Sequence, residues 1–169
     1  MIILISGSSH VGKTLLAKKL VEKHLYPAFS IDHLKMGLIR SGNTDLTPLS
    51  PDKELTAYLW PIVREMIKTA LENGQDLIVE GCYIPVDWKK DFSPEEQKQI
   101  RSYLLIMSGD YIRAHFDDIK SFSCVVENRL CDDYDVEEAL RDNALLLKEA
   151  EACGAEYVLI DKEYHIPLE

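Results

Sequence analysis

A glycine-flanked segment near the amino terminus has the spacing that polyphosphate binding requires. Residues 7–14 match the pattern G-x-x-x-x-G-K-[ST] at all four fixed positions. Glycines let the backbone curl so that consecutive N–H groups point at phosphate oxygens. In this pattern the lysine reaches the β- and γ-phosphates, and the hydroxyl that follows it binds Mg²⁺. The predicted contacts to a polyphosphate ligand are Gly7, Ser8, Ser9, His10, Val11, Gly12, Lys13 and Thr14.

The residues around this loop supply the context that the pattern needs. The apolar run 2–6 precedes it, and an amphipathic helical pattern with Leu16 and Leu20 on one face follows it. A helix that starts near Lys13 would add its positive end to the anion site. The alternative is a chance glycine loop between a strand and a helix, and the presence of all four fixed positions and both flanks argues against it. His10 is not required by the pattern, so it is either a solvent-facing side chain or a pH-sensitive contact to phosphate or substrate.

Two carboxylates follow predicted strands. Asp32 comes after the apolar run 28–31, and Glu80 ends the run 76–80. Ligands of an open parallel sheet bind outside the carboxyl ends of its strands, so both side chains should lie beside the loop. We predict that Glu80 serves the metal, because a charge next to a buried strand is costly unless it is used or paired. Asp32 either orients or deprotonates a substrate hydroxyl, or caps a helix whose pattern starts at His33.

Basic side chains near the same edge are candidate phosphate or substrate ligands. Arg113 follows the fourth predicted strand, and Arg129 lies before the last helix, where a lid could form; both are predicted to be catalytic. Lys35 and Arg40 follow the second strand and are predicted, with Tyr83, to contact the substrate. A solvated surface charge is the alternative for each basic residue, and core packing is the alternative for the tyrosine.

Five short apolar runs are predicted to be strands, and several of them are apolar at consecutive positions. This pattern is typical of parallel strands that are buried on both faces of a sheet. Helical patterns lie between the runs, and this alternation predicts an α/β domain with a parallel sheet. The predicted strands are residues 2–6, 28–31, 76–80, 102–107 and 156–160.

Caps and helix breakers bound the predicted helices. The longest pattern runs from Ser50 to a stop at Gly74 and contains Pro61, where a kink or break is expected. A capping box at 93–96 starts a short helix. The last helix is predicted over 136–153, because a glycine that suits a left-handed cap follows it.

Composition and charge argue against two classes of protein, nucleic-acid binders and membrane-spanning proteins. The chain has 169 residues, of which 46% are hydrophobic and 28% charged, and this predicts one domain over 1–169. A net charge of −10 with no basic face argues against a nucleic-acid partner. No apolar run approaches the roughly 20 residues of a membrane span. Four cysteines without metal spacing and no export signal predict a cytoplasmic protein. We also expect a monomer or homodimer whose partner is a small molecule.

Three segments together resemble the P-loop small-molecule kinases. They are the loop 7–14, the run Asp-His-Leu-Lys at 32–35 and the run Val-Glu-Gly at 79–81. This group includes adenylate kinase-like enzymes, shikimate and gluconate kinases, chloramphenicol phosphotransferase, zeta-toxin kinases and 2-phosphoglycerate kinase-like proteins. The resemblance covers roughly the first half of the chain. The second half matches only in the alternation of its predicted strands and helices.

The resemblance implies a fold and an activity. The fold is the three-layer P-loop NTPase architecture, with a five-stranded parallel sheet in the order 2-3-1-4-5 and helices on both faces. The activity is transfer of the γ-phosphoryl group of ATP, with Mg²⁺, to a hydroxyl or phosphate of a small acceptor. A substrate segment around 41–60 is predicted to be mobile, and a lid is predicted around 113–134. A nucleotide-binding regulatory module, or a weak NTPase without kinase activity, is the alternative.

Departures from the family pattern restrict the class of acceptor that the resemblance implies. Lys35 stands where adenylate kinases typically carry an arginine, and residues 80–84 lack their Asp-Gly-x-Pro-Arg segment. Both differences argue against a nucleoside monophosphate as the acceptor. The GTPase specificity motif Asn-Lys-x-Asp is also absent from the sequence, which argues against a molecular switch.

Overall fold

In the computed structural model of this protein, residues 1–126 and 134–166 are described. The five strands form one parallel sheet in the order β2-β3-β1-β4-β5, which confirms the predicted architecture. The strands are β1 (Ile2–Gly7), β2 (Ala28–Ser30), β3 (Leu77–Glu80), β4 (Ile100–Met107) and β5 (Val158–Ile160).

Helices connect the strands and cover both faces of the sheet. They are α1 (Lys13–His24), α2 (Ile31–Arg40), α3 (Asp52–Glu72), α4 (Pro94–Gln97), α5 (Gly109–Val126) and α6 (Val136–Cys153), with a short 3₁₀ turn at Trp88–Asp91. The predicted capping box at Ser93 and the left-handed cap at Gly154 are both confirmed. No helix in the described part of the chain is both long and apolar enough to cross a membrane.

The apolar core lies on both faces of the sheet, which explains why the strands are apolar at consecutive positions. On one face Ile3 and Ile5 of β1 join a cluster with residues of α1 and α5. On the other face Ile2 and Leu4 join a cluster with residues of α3, and this second cluster also holds four buried aromatic side chains. Those aromatic residues are Trp60, Tyr83, Trp88 and Phe92.

The register of the strands aligns three carboxyl ends at one edge. Ile5 of β1 lies beside Glu80 of β3, and Glu80 lies beside Ser30 of β2. The chain leaves β1 into the phosphate loop and leaves β2 into the first turn of α2. The loop, Glu80 and the start of α2 therefore share the edge of the sheet where ligands of parallel sheets bind.

Helix α2 begins two residues earlier than the sequence predicted. The second strand was expected to include Ile31, and the helix was expected to start at His33, but Ile31 opens the helix. The side chain of Ile31 is fully buried, and a Cβ placed at Gly81 would lie only 2.9 Å from the Cβ of Ile31. This close packing turns the chain at Ile31, so Asp32 lies inside the first helical turn.

Helix α3 continues through Pro61, so the predicted break there is wrong. Proline removes the hydrogen bond that would end on the carbonyl of Ala57, four residues earlier. Both positions are exposed, so water can reach the freed carbonyl. Leu59 and Val63 on the opposite side of the helix are 1% and 0% exposed, and their burial holds the helix in place through the proline.

One buried polar side chain ties α6 to β4. Asn143 is 3% exposed, and its Oδ1 accepts a hydrogen bond of 2.8 Å from the backbone N–H of Met107, the last residue of β4. Its Nδ2 donates to the carbonyl of Ala139 at 2.9 Å. Buried N–H groups without a partner are costly, so this side chain satisfies the end of a central strand.

We expect Asn143→Ala to lower the free energy of unfolding by about 1–3 kcal/mol, because it leaves the N–H of Met107 buried without an acceptor. Urea denaturation measures the change. Asn73→Ala is the matched control, since Asn73 is exposed and donates to the carbonyl of Thr69, also four residues earlier. The control should change stability by less than about 0.5 kcal/mol. Equal losses in the two variants would contradict the role given to Asn143.

Candidate functional site

The phosphate loop joins β1 directly to α1 and has the predicted curl. Gly7 has φ 141°, and a Cβ there would lie 2.4 Å from the carbonyl oxygen of Leu105 in β4. Gly12 precedes the first residue of α1 and is left-handed, with φ 87°. A side chain at Gly7 would clash with backbone, and one at Gly12 would be strained. The two fixed glycines of the motif are thus both required by the shape of the loop.

Two buried side chains of the loop keep hydrogen-bond donors that have no partner among the described residues. Lys13 is only 8% exposed, and its ammonium donates to the carbonyl of Ser8 at 2.7 Å. The hydroxyl of Ser8 is buried without a hydrogen-bond partner among the described residues. An ammonium has three donors, and a buried charge is costly unless it is paired. A bound phosphate would accept from both side chains, so the loop fits a polyphosphate.

The predicted metal residues lie at the same edge of the sheet. Glu80 is 4% exposed at the end of β3, and Thr14 lies half-buried in the first turn of α1. Within 1–126 and 134–166, no three acidic, histidine or cysteine side chains are grouped in a way that could hold a metal by themselves. Mg²⁺ in phosphoryl-transfer sites is typically held by one or two protein oxygens together with phosphate oxygens and water. Thr14 and Glu80 fit that limited role.

Asp32, Lys35 and Tyr83 form a connected cluster, which we call the acceptor cluster. The ammonium of Lys35 donates to Oδ1 of Asp32 at 2.5 Å and to the hydroxyl of Tyr83 at 2.9 Å. Lys35 is 13% exposed and Asp32 is 37% exposed at the side chain, so the carboxylate is accessible from solvent. The residues predicted as substrate contacts at positions 32, 35 and 83 are therefore brought together.

The other interpretation of Asp32, as a helix cap, is wrong. The N-cap residue of α2 is Ser30, and its side chain accepts no hydrogen bond from the backbone of the first turn. Asp32 lies two residues further on, and its carboxylate bonds to a side chain, Lys35. Its position in the first turn still suits the positive end of the helix. The side chain of Asp32 therefore does not cap α2.

Burial and pairing set the charges in the acceptor cluster. Burial lowers the pKa of Lys35, but the hydrogen bonds to Asp32 and Tyr83 outweigh it, so the net shift of that pKa is upward. Burial raises the pKa of Tyr83, and the nearby Lys35 opposes this only in part. Both shifts move titration further above neutral pH. Lys35 is therefore a cation and Tyr83 a neutral phenol at neutral pH.

Two predicted arginines, Arg40 and Arg113, make no contact with the acceptor cluster in the described structure. Arg40 is exposed at the last position of α2, about 12 Å along the helix axis from Asp32. Arg113 is 63% exposed and pairs with Asp110 at 3.5 Å, an exposed ion pair of the kind that contributes little to stability. Arg129 lies outside the described residues, as does the middle of the predicted lid. Their roles stay predictions.

Residues from distant parts of the chain contact the loop, and the sequence analysis did not predict these contacts. His10 is half-buried and stacks on Tyr134, with ring centroids 4.2 Å apart and planes at 12°, so the expectation of a solvent-facing side chain is wrong. Tyr134 also bonds to the carbonyl of Ser9, and Tyr164 bonds to the carbonyl of Val11. Neither tyrosine belongs to a recognisable motif, and only the folded chain brings them to the loop.

Solved structures share this architecture. A "putative kinase" from Chloroflexus aurantiacus aligns with a TM-score of 0.54 and 18% identity over 96% of this chain and 88% of its own. Shikimate kinase from Bacteroides thetaiotaomicron aligns with a TM-score of 0.53 and 14% identity over 95% of this chain and 86% of its own. This chain therefore shares the fold of these two structures. No protein-family model matches the sequence, and no curated protein sequence is similar to it.

The same fold also occurs in one chain of a larger assembly. A chain of the Pnkp1/Rnl/Hen1 RNA repair complex aligns with a TM-score of 0.51 and 10% identity, over 88% of this chain and 45% of that one. At these identities the likeness concerns the fold alone. What the site of this chain could bind therefore has to be inferred from its own side chains.

We expect Lys13→Ala to weaken ATP binding by about 1.5–3 kcal/mol, because it removes a charged donor from the loop. Isothermal titration calorimetry with ATP and Mg²⁺ measures the change. Lys18→Ala is the matched control, since Lys18 is an exposed lysine on the same helix and the substitution changes net charge equally. Equal ATP affinity in Lys13→Ala and the parent would contradict the assignment of the loop.

Proposed function

We propose that the protein is a phosphotransferase that moves the γ-phosphoryl group of ATP, with Mg²⁺, to a hydroxyl of a small molecule. One observation carries the proposal. The phosphate loop follows β1 and Asp32 follows β2, while Glu80 ends β3 between them at the same edge of the sheet. A donor site, a metal-binding carboxylate and an acceptor-binding carboxylate thus lie side by side.

The phosphate end of the site is built for positioning and charge neutralisation. Phosphoryl transfer passes through a loose transition state in most analyses, so the protein has little covalent chemistry to perform. The N–H groups of the loop and the ammonium of Lys13 would hold the β- and γ-phosphates. Bound Mg²⁺ supplies Lewis-acid neutralisation of phosphate charge, and Thr14 and Glu80 are the side chains that would hold it.

The acceptor end of the site favours a hydroxyl over a phosphate group. Lys35 occupies Oδ1 of Asp32, whereas Oδ2 has no hydrogen bond to a described residue. Oδ2 would accept the proton of a substrate hydroxyl and aim its oxygen at the phosphorus. A phosphate acceptor would instead need uncompensated positive charge, but Lys35 is paired with Asp32 and Arg40 lies at the far end of α2.

A screen for ATP-dependent phosphorylation tests the proposal. The panel contains nucleosides, sugars, hydroxylated metabolites and aminoglycoside-like compounds, and the readout is Mg²⁺-dependent transfer of labelled γ-phosphate. We expect transfer to at least one hydroxyl compound and none to nucleoside monophosphates. Tight ATP binding with neither transfer nor slow hydrolysis would contradict the proposal and support a nucleotide-binding regulatory module.

We expect Asp32→Asn to lower transfer to the acceptor by about 10²–10⁴-fold, because an amide cannot take a proton from the hydroxyl. ATP binding should be unchanged, since the loop makes those contacts, and any slow hydrolysis by water should survive. Steady-state kinetics and calorimetry separate the two effects. Asp76→Asn is the matched control, because Asp76 pairs with the amino terminus before β3, at the opposite edge of the sheet. Transfer within about twofold of the parent would show that Asp32 is structural.

A further inference from the structure

Two tyrosine hydroxyls donate hydrogen bonds to carbonyl oxygens of the phosphate loop. Tyr164, which follows β5, donates to the carbonyl of Val11 at 3.0 Å. Tyr134, which precedes α6, donates to the carbonyl of Ser9 at 3.4 Å. The two tyrosines are 153 and 125 residues away from their partners in the sequence, so neither contact arises from local chain geometry.

These contacts orient the N–H groups on which phosphate binding depends. In a planar trans peptide the C=O of one residue and the N–H of the next point in opposite directions. A hydroxyl that fixes the carbonyl of Val11 therefore also directs the N–H of Gly12 away from Tyr164. In the same way, the bond to Ser9 directs the N–H of His10. The N–H groups of His10 and Gly12 are therefore already oriented before a ligand binds.

The packing around Gly12 shows how closely Tyr164 approaches the loop. A Cβ at Gly12 would lie 1.9 Å from the hydroxyl oxygen of Tyr164, so only glycine leaves room for the ring. Burial raises the pKa of Tyr164 to about 12, and the nearby Tyr111 adds to the shift. The phenol therefore stays protonated well above neutral pH, so it remains a hydrogen-bond donor.

The second tyrosine supports an unusual backbone conformation. His10 is a non-glycine residue with φ 63°, in the left-handed region. Such a conformation costs of order 1 kcal/mol and persists only when surrounding contacts impose it. The ring of Tyr134 stacks on His10 and its hydroxyl bonds to the preceding residue, Ser9. The hydroxyl contact acts on the peptide that links residues 9 and 10, and the stacking holds the side chain of His10.

We propose that Tyr164, assisted by Tyr134, is a positioning residue that holds the peptide planes of the phosphate loop in their phosphate-binding orientation. The role rests on the proposed function, because it presumes that the loop binds a polyphosphate. Donors that are aligned before the ligand arrives lose less entropy on binding. The tyrosines act through the backbone N–H groups and need make no contact with the nucleoside part of a nucleotide.

The test compares two ligands, ATP and inorganic tripolyphosphate, each with Mg²⁺, by calorimetry. Tyr164→Phe removes the hydroxyl and keeps the ring. We expect the affinity for both ligands to fall by the same factor, roughly 3- to 10-fold, the size of one hydrogen bond. Tyr134→Phe should also weaken both ligands equally, and by less, because its bond is longer. Tyr111→Phe is the matched control, since Tyr111 is a neighbouring buried phenol of the same core cluster.

The outcomes separate this proposal from its alternatives. Loss of ATP affinity with tripolyphosphate affinity unchanged would mean that Tyr164 contacts the nucleoside, and would overturn the positioning role. Unchanged affinity for both ligands would also overturn it, and a lower urea midpoint in that case would mark a purely structural tyrosine. If Tyr164→Phe fails to fold, Tyr134→Phe decides between the same outcomes. A parent chain that binds neither ligand would instead overturn the proposed function.

Discussion

The curl of the backbone between Gly7 and Gly12 is the constraint on which the site depends. At Gly7 the loop passes so close to the carbonyl of Leu105 that no side chain fits, and at Gly12 the chain is left-handed where α1 begins. This geometry buries the ammonium of Lys13 among backbone groups. The chain has a net charge of −10, and the N–H dipoles and the one lysine of the loop would allow local anion binding in spite of it.

The parallel sheet converts that loop into a candidate for group transfer. Because all five strands run in the same direction, the residues that follow β1, β2 and β3 emerge at one edge. Glu80 is held between β1 and β2 by the register of the ladder, and Asp32 follows β2 in the first turn of α2. The core on both faces fixes the positions of these strand ends, so the separation of donor and acceptor groups is a property of the fold.

Prediction from sequence succeeded where the signal was local and repeated. Consecutive apolar residues identified buried parallel strands, and the capping box at Ser93 and the cap at Gly154 marked helix ends correctly. It failed where burial decided the outcome. The break expected at Pro61 is absent because both the proline and the carbonyl it frees face water. Asp32 is not a helix cap, because the burial of Ile31 against Gly81 starts α2 earlier.

The sequence by itself determined the phosphate loop, because eight consecutive residues carry the required backbone freedom, charge and hydroxyl. It also placed Asp32 and Lys35 near the same end of the sheet, since both follow the second predicted strand. Tertiary structure alone decided that Tyr83 completes the acceptor cluster and that Tyr164 bonds to the loop. The physical reason is distance along the chain: those contacts join residues 48 and 153 positions apart, and they exist only once the sheet and its core have assembled.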